Sequence, residues 1–223
     1  MDETKGKTLL VLGGSGLVGM DVLRQALANP AIARVVAPTR RPLPVSVTHY
    51  AHLLNPQVDF SALPEEADWW QADAALCALG TTLKQAGSKD AFRKVDREYV
   101  CGAARLCLHA GTRTFVLNSS LGASARSGSF YLRVKGEVEQ DLAAMDFRSL
   151  TLVRPSLLDG GPRPENRPGE VFGLLLSRSF KPVIPKRFRA VKTSDVAAAM
   201  LQAALMAPVG KQVIESNAIL RRH

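Results

Sequence analysis

The sequence predicts an α/β fold, a doubly wound parallel sheet formed as one domain over residues 1–223. Two observations carry that expectation. A short apolar strand, Leu9 to Leu12, runs into closely spaced glycines and then into an amphipathic helix. The same alternation of buried strand and helical period recurs as far as Val153, the pattern of parallel strands joined by helical crossovers.

Leu9-Leu-Val-Leu12 is the unbroken apolar run that a strand buried on both faces requires. Glycines follow at Gly13, Gly14, Gly16 and Gly19, and Leu17, Val18, Val22, Leu23, Ala26 and Leu27 then share one helical face. A turn this tight needs residues without a Cβ. It gathers backbone N–H groups and a helix N-terminus at one point, which suits an anionic pyrophosphate. The spacing is Gly-x-x-Gly-x-x-Gly rather than Gly-x-Gly-x-x-Gly, and alone it also describes an ordinary βα turn. The strand before it and the helix after it point to dinucleotide binding by Gly13, Gly14, Ser15, Gly16, Leu17, Val18 and Gly19.

Asn29-Pro30 breaks the helix, and Arg34 to Ala37 reads as a second strand ending in Pro38-Thr39-Arg40-Arg41-Pro42. At this strand end an acid would bind the ribose hydroxyls of NAD, whereas arginines would pair with a 2′-phosphate. The window holds no acid, and Arg40 and Arg41 are planar, permanently charged forks, so NADP(H) is favoured over NAD(H). Two solvated loop arginines are the plainer alternative. Pro44 to Leu54 reads as weak strand or loop, and Asp59 either ends a third strand near the adenine or caps the helix after it. Ser61 to Trp70 reads as a short surface helix on which Trp69 and Trp70 pack.

Ala74 to Leu79 is a buried strand, and the glycine and hydroxyls of Gly80-Thr81-Thr82 would admit the cofactor's central ribose next to Leu79. Lys84 to Lys89 reads as a polar loop. Phe92 to Ala110 has the helical period, with Val95, Tyr99, Ala103, Leu106 and Cys107 inward and Gly111 as C-cap. Thr114 to Leu117 is a strand running into Asn118-Ser119-Ser120, Gly122 to Ser129 a loop, Tyr131 to Met145 a helix and Arg148 to Val153 a strand. From Leu157 to Arg189 periodicity fades and prolines gather, so a substrate-side lobe is expected over residues 157–192. Asp195 to Ala207 is an alanine-rich helix with Thr193 or Ser194 as N-cap, and Gln212 to Glu215 a last strand.

The net charge of +9 fits nucleic acid, an anionic membrane surface or small anionic ligands. No basic helix with interleaved aromatics appears, so nucleic acid is not expected. Val171 to Ser194 lacks acids but holds Arg178, Lys181, Lys186, Arg187, Arg189 and Lys192; closed over the site it would suit an anionic substrate or an acidic protein partner, and otherwise it is a solvated loop. Cys77, Cys101 and Cys107 read as reduced core residues, and the four histidines form no metal set. The polar N-terminus and the lack of an apolar run long enough to span a bilayer lead to the expectation of a cytoplasmic protein, monomer or homodimer.

Tyr131 and Lys135 stand at i, i+4, one turn apart on one helical face. A phenol with a pKa of about 10 is a poor acid-base group at neutral pH, and a neighbouring cation favours its ionised form. The lysine also suits the nicotinamide ribose. Ser119 and Ser120, at the preceding strand end, offer a hydroxyl to a substrate carbonyl oxygen while Tyr131 moves the proton. A helix tyrosine beside a solvated lysine is common by chance; here the order of elements favours the chemical reading.

With these residues the chain resembles a short-chain dehydrogenase/reductase of the extended or atypical kind: Gly13 to Gly19, Ser119-Ser120, Tyr131 with Lys135, and Arg154-Pro155-Ser156. It is most similar to the Tat-interacting-protein branch of NADPH-binding oxidoreductase-like proteins, through Cys77 to Thr82, Val95 to Val100, Tyr131 to Glu139 and Arg167 to Glu170. The resemblance spans nearly the whole chain. It implies an NAD(P)-binding Rossmann domain, Pro155 at the cofactor and Ser120 ahead of Ser119 as the carbonyl-binding hydroxyl. Many relatives place an asparagine on the helix before the serine strand, where this chain has Asp96. The expected function is hydride transfer to or from a small carbonyl or alcohol, with Tyr131 as acid-base. The alternative is an NADPH-sensing regulator that binds a protein partner without chemistry.

Overall fold

The computed structural model describes residues 6–159 and 189–220. Seven strands form one all-parallel sheet: β1 (Lys7–Leu12), β2 (Ile32–Val36), β3 (Leu53–Leu54), β4 (Ala74–Cys77), β5 (Thr114–Asn118), β6 (Ser149–Arg154) and β9 (Gly210–Glu215). Their order is β3-β2-β1-β4-β5-β6-β9, so the chain winds outward from β1 in one direction and then from β4 in the other. The doubly wound sheet expected from the sequence is therefore the fold.

Helices cover both faces. α1 (Leu17–Leu27) and the alanine-rich α7 (Thr193–Met206) pack together on one side with Leu9, Val11, Leu76 and Val116 beneath them. α4 (Lys89–Arg93) continues through a π-helical turn, Lys94–Glu98, into α5 (Tyr99–His109), and α6 (Phe130–Ala143) lies beside it. This second face buries Leu10, Leu12, Cys77, Phe115 and Leu117. Alternate β1 residues thus enter opposite cores, which is why that strand is apolar throughout. Trp69 and Trp70 pack into the second core as expected, with Trp70 Nε1 donating to the Pro64 carbonyl at 2.7 Å.

Several local expectations are corrected. Residues 44–54 hold a one-turn helix, α2 (Val45–Thr48), and end in the third strand, β3. Asp59 ends no strand; its Oδ1 accepts from the Ser61 N–H at 2.8 Å in a local turn. The helix expected over Ser61 to Trp70 is a single 3₁₀ turn, Asp68–Trp70, since Pro64 lacks the N–H a longer helix needs. Lys84 to Lys89 is not all loop: α3 (Leu83–Ala86) is capped by Thr82 and closed by Gly87 at φ +80°. The N-cap of α7 is Lys192; the Thr193 hydroxyl instead donates to Asp21 Oδ2 at 2.6 Å, joining α7 to α1. The lobe expected over 157–192 lies outside the described residues apart from its ends, where β7 (Leu158–Asp159) pairs parallel with β8 (Val191–Lys192). α8 (Ser216–Ile219) follows β9.

Candidate functional site

The glycine turn after β1 is shaped by close approaches. Gly13 has φ +83°, and a Cβ there would stand 2.6 Å from the backbone of Ala78 and Leu79. A Cβ on Gly19 would stand 2.1 Å from the Gly13 carbonyl oxygen, so the first turn of α1 rests directly on the glycine turn. Gly14 is buried against Leu23. Gly16 is the N-cap of α1, with extended backbone and no side-chain cap, which leaves the first amides of α1 open to a ligand.

That turn forms one wall of a cleft of about 1110 Å³ at the C-terminal ends of the strands. Ser15, Gly16, Leu17 and Val18 line it from β1, and Leu79, Gly80, Thr81 and Thr82 from β4. Ser119 and Ser120 come from β5, Tyr131 and Lys135 from α6, and Pro155 from the end of β6. The winding direction reverses between β1 and β4, and open α/β sheets bind ligands at such a switch point. Gly13, Gly14 and Gly19 shape the wall from behind. Arg40 and Arg41 are exposed at the neighbouring end of β2 and are not among the lining residues. Their loop is held by Asn55, whose Nδ2 donates to the Ala37 carbonyl at 2.6 Å and whose Oδ1 accepts from the Leu43 N–H at 2.9 Å.

The two serines differ. Ser119 is buried, and its hydroxyl donates to Glu139 Oε1 at 2.5 Å. Glu139 is itself buried and held by Arg154, with Nε at 2.9 Å from the same oxygen. The Ser120 hydroxyl has only a 3.5 Å contact with the Leu121 carbonyl, which leaves its proton available to the cleft.

Lys135 is buried, and its Nζ lies 2.8 Å from Oδ1 of Asp96, which is 1% exposed. Burial works to lower the Lys135 pKa, but Asp96, assisted by Tyr131, lifts it above the usual lysine value. Tyr131 packs on Phe92, with ring centroids 5.8 Å apart. Gly136, next to Lys135, permits a contact no other residue would: a Cβ there would stand 2.1 Å from the backbone of Ser124. Burial pushes the Cys77 thiol up to about 12 and the Cys101 thiol up to about 11, and all three cysteines are unpaired and buried, as expected of core residues.

Sequence reasoning missed Glu139, Gly136 and Asn55. Glu139 carried a signal, since it falls one helical turn after Lys135; Asn55 sits in a stretch without periodicity and carried none.

No family model matches the chain. The rat protein HTATIP2 is 36% identical over 223 residues, covering 98% of this chain and 90% of that protein. The chain belongs to the HTATIP2 family. The Tat-interacting-protein resemblance read from its motifs is thereby shown. Protein FMP52-1, mitochondrial, of Scheffersomyces stipitis is 38% identical over 159 residues, 67% of this chain and 66% of that protein.

Solved structures share the fold at lower identity. MoeE5 in complex with UDP-glucose and NAD superposes with a TM-score of 0.68 at 18% identity, covering 97% of this chain and 80% of that one. A UDP-N-acetylglucosamine 4-epimerase from Methanobrevibacter ruminantium gives 0.72 at 13% identity, covering 97% and 81%.

The cytoplasmic expectation is corrected. Several fungal relatives of this chain are named as mitochondrial proteins. Compartment is set by receptor-read address signals, which neither composition nor the length of apolar runs reports. Among the described residues, no helix is long and apolar enough to cross a membrane.

Proposed function

We propose that this chain binds NADP(H) in the cleft and is an oxidoreductase of the short-chain dehydrogenase type, acting on a small carbonyl or alcohol. The observation that carries the reading is the buried Lys135 ammonium in the cleft, one turn from Tyr131, in a wall that the cleft shares with the glycine turn after β1. The relatives in solved structures that hold NAD support a nicotinamide cofactor. The uncapped start of α1 fits a pyrophosphate, the small residues of Gly80-Thr81-Thr82 fit a ribose, and Arg40 and Arg41 fit a 2′-phosphate at the end of β2.

The bound nicotinamide would supply or accept the hydride. Tyr131 donates its phenolic proton to the carbonyl oxygen in reduction and accepts one from the alcohol in oxidation. Ser120 donates a hydrogen bond to that oxygen, a role Ser119 does not fill while its proton is held by Glu139. Lys135 stays charged and holds the ribose.

The test is NADPH oxidation across a panel of aldehydes, ketones and acyl compounds, run on wild type and Tyr131→Phe. Turnover on at least one compound is expected, falling by roughly 10²-fold or more in the variant with NADPH affinity retained. Tight NADPH binding with no turnover on the whole panel would move weight to the sensing role, and parallel loss of binding and turnover in Tyr131→Phe would contradict its place as acid-base.

A further inference from the structure

β5 runs through Phe115, Val116 and Leu117 and then ends on Asn118, an amide where an apolar side chain would continue the core. Phe115 and Leu117 face the core under α5 and α6, and Val116 faces the core under α1 and α7. Alternation turns the Asn118 side chain to the α1–α7 side, opposite to Ser119, whose hydroxyl reaches Glu139 of α6. The backbone here is fixed: Asn118 is in register with Val153 of β6, and the Ser119 N–H donates to the Val153 carbonyl at 2.7 Å. Among the described residues, two that line the cleft have a buried side-chain oxygen without a hydrogen-bond partner. One is Asp96, whose Oδ1 has the Lys135 ammonium at 2.8 Å. The other is Asn118, whose Oδ1 has no donor at all. An unpaired buried acceptor is destabilising, so one kept in the wall of a cleft points to a ligand that pairs with it.

We infer that Asn118 is a further binding residue of the cofactor site, its Oδ1 accepting a hydrogen bond from the carboxamide N–H of the nicotinamide. The inference rests on the cofactor reading above. In that reading the order of strands sets the order of the cofactor's parts: the 2′-phosphate at β2, the pyrophosphate at β1, a ribose at β4 and the nicotinamide at β5. The donors of NADP(H) are the adenine amine, the ribose hydroxyls and the carboxamide. The adenine belongs with the 2′-phosphate, and β1 and β4 stand between β2 and Asn118. The nicotinamide ribose is taken by Lys135 on the α6 side, which leaves the carboxamide for an acceptor on the α1–α7 side. The terminal torsion of an asparagine is broad and roughly two-fold, so a small rotation of the amide turns Oδ1 to a bound ligand. The nicotinamide is then held from both sides of the sheet, by Asn118 on one and by Tyr131 and Lys135 on the other, and the carboxamide fixes how the ring is turned toward substrate.

The experiment is calorimetric titration of the full chain with NADP+ and with its 3-acetylpyridine analogue, which keeps a carbonyl on the ring and lacks the carboxamide N–H groups. Wild type, Asn118→Leu and Asn118→Ala are compared; leucine has the branched shape of asparagine without its polar atoms. Wild type is expected to bind NADP+ about tenfold more tightly than the analogue, the loss of one hydrogen bond. Both variants are expected to bind the two ligands alike, with NADP+ weakened about tenfold. A wild type that binds the two alike, or variants that keep its preference, would overturn the inference while leaving the cofactor reading intact. A wild type that binds neither ligand would overturn both. Thermal melts of the unliganded chains separate a binding role from a structural one. Asn118→Leu is expected to melt no lower than wild type, because it removes an unpaired buried acceptor; a clear fall in both variants would mark Asn118 as structural and overturn the inference. If leucine does not fit and that variant fails to fold, Asn118→Ala decides the ligand comparison by the same criterion.

Discussion

Lys135 and Asp96 give the site its electrostatic character, and their pairing has a consequence for stability against pH. The folded pKa of Lys135 is raised, so the pair's contribution is full below the ordinary lysine value of about 10.4 and is lost as pH rises through the folded value. Without Asp96, burial is the largest remaining influence and acts to lower the Lys135 pKa, and a lysine with a depressed folded pKa gains stability as pH rises. The Tm deficit of Asp96→Asn relative to wild type should therefore narrow toward alkaline pH in thermal melts; a constant deficit would contradict the pairing. Arg40 and Arg41, exposed at the end of β2 and outside the residues that line the cleft, test a different discrimination. Changing both to Ala should weaken NADPH by roughly tenfold or more while moving NADH little, since only NADPH carries the phosphate. Equal losses for the two would remove them from the phosphate role. Tyr131, Lys135 and Ser120 were legible as a set because helical spacing and strand order are local properties of a sequence. The Ser119–Glu139–Arg154 network was not, because it joins β5, α6 and β6 through contacts that no periodicity records.

The element that matters most to the site is α6, which carries Tyr131 and Lys135. It is fixed from two sides. Arg97 reaches across to Glu137 at 3.1 Å and Asp141 at 2.8 Å, and Arg93 also pairs with Glu137. These partly exposed pairs contribute about 1 kcal/mol or less each. On the other side Gly136 lets the helix lie against the backbone of Ser124 and Ala125. Gly136→Ala should cost about 1–3 kcal/mol by overpacking, measured by denaturant unfolding. It should also weaken NADPH, because the helix must retreat with Lys135 on it; unchanged stability and affinity would show that the loop yields freely. Long elements such as α1, α5 and β1 were readable because their periods extend over several turns or bury two faces. β3, α2 and α3 are two to four residues long, too short to display a period, and were read as loop or misplaced.

At the scale of the whole molecule, the sheet decides where chemistry is feasible. Strand order β3-β2-β1-β4-β5-β6-β9 places the reversal of winding between β1 and β4, and the glycine turn, the Gly80 segment, Ser120 and α6 meet around that one point. The fold class was readable in advance because β1 and β4 are unbroken apolar runs and helical periods follow β1, β4 and β5. The central claim is that the cleft holds a nicotinamide dinucleotide, and the most direct measurement is calorimetric titration of NADPH and NADH into the wild-type chain at low ionic strength. Saturable binding of one NADPH per chain, tighter than NADH, is the predicted result. The absence of saturable binding of either nucleotide would contradict the account.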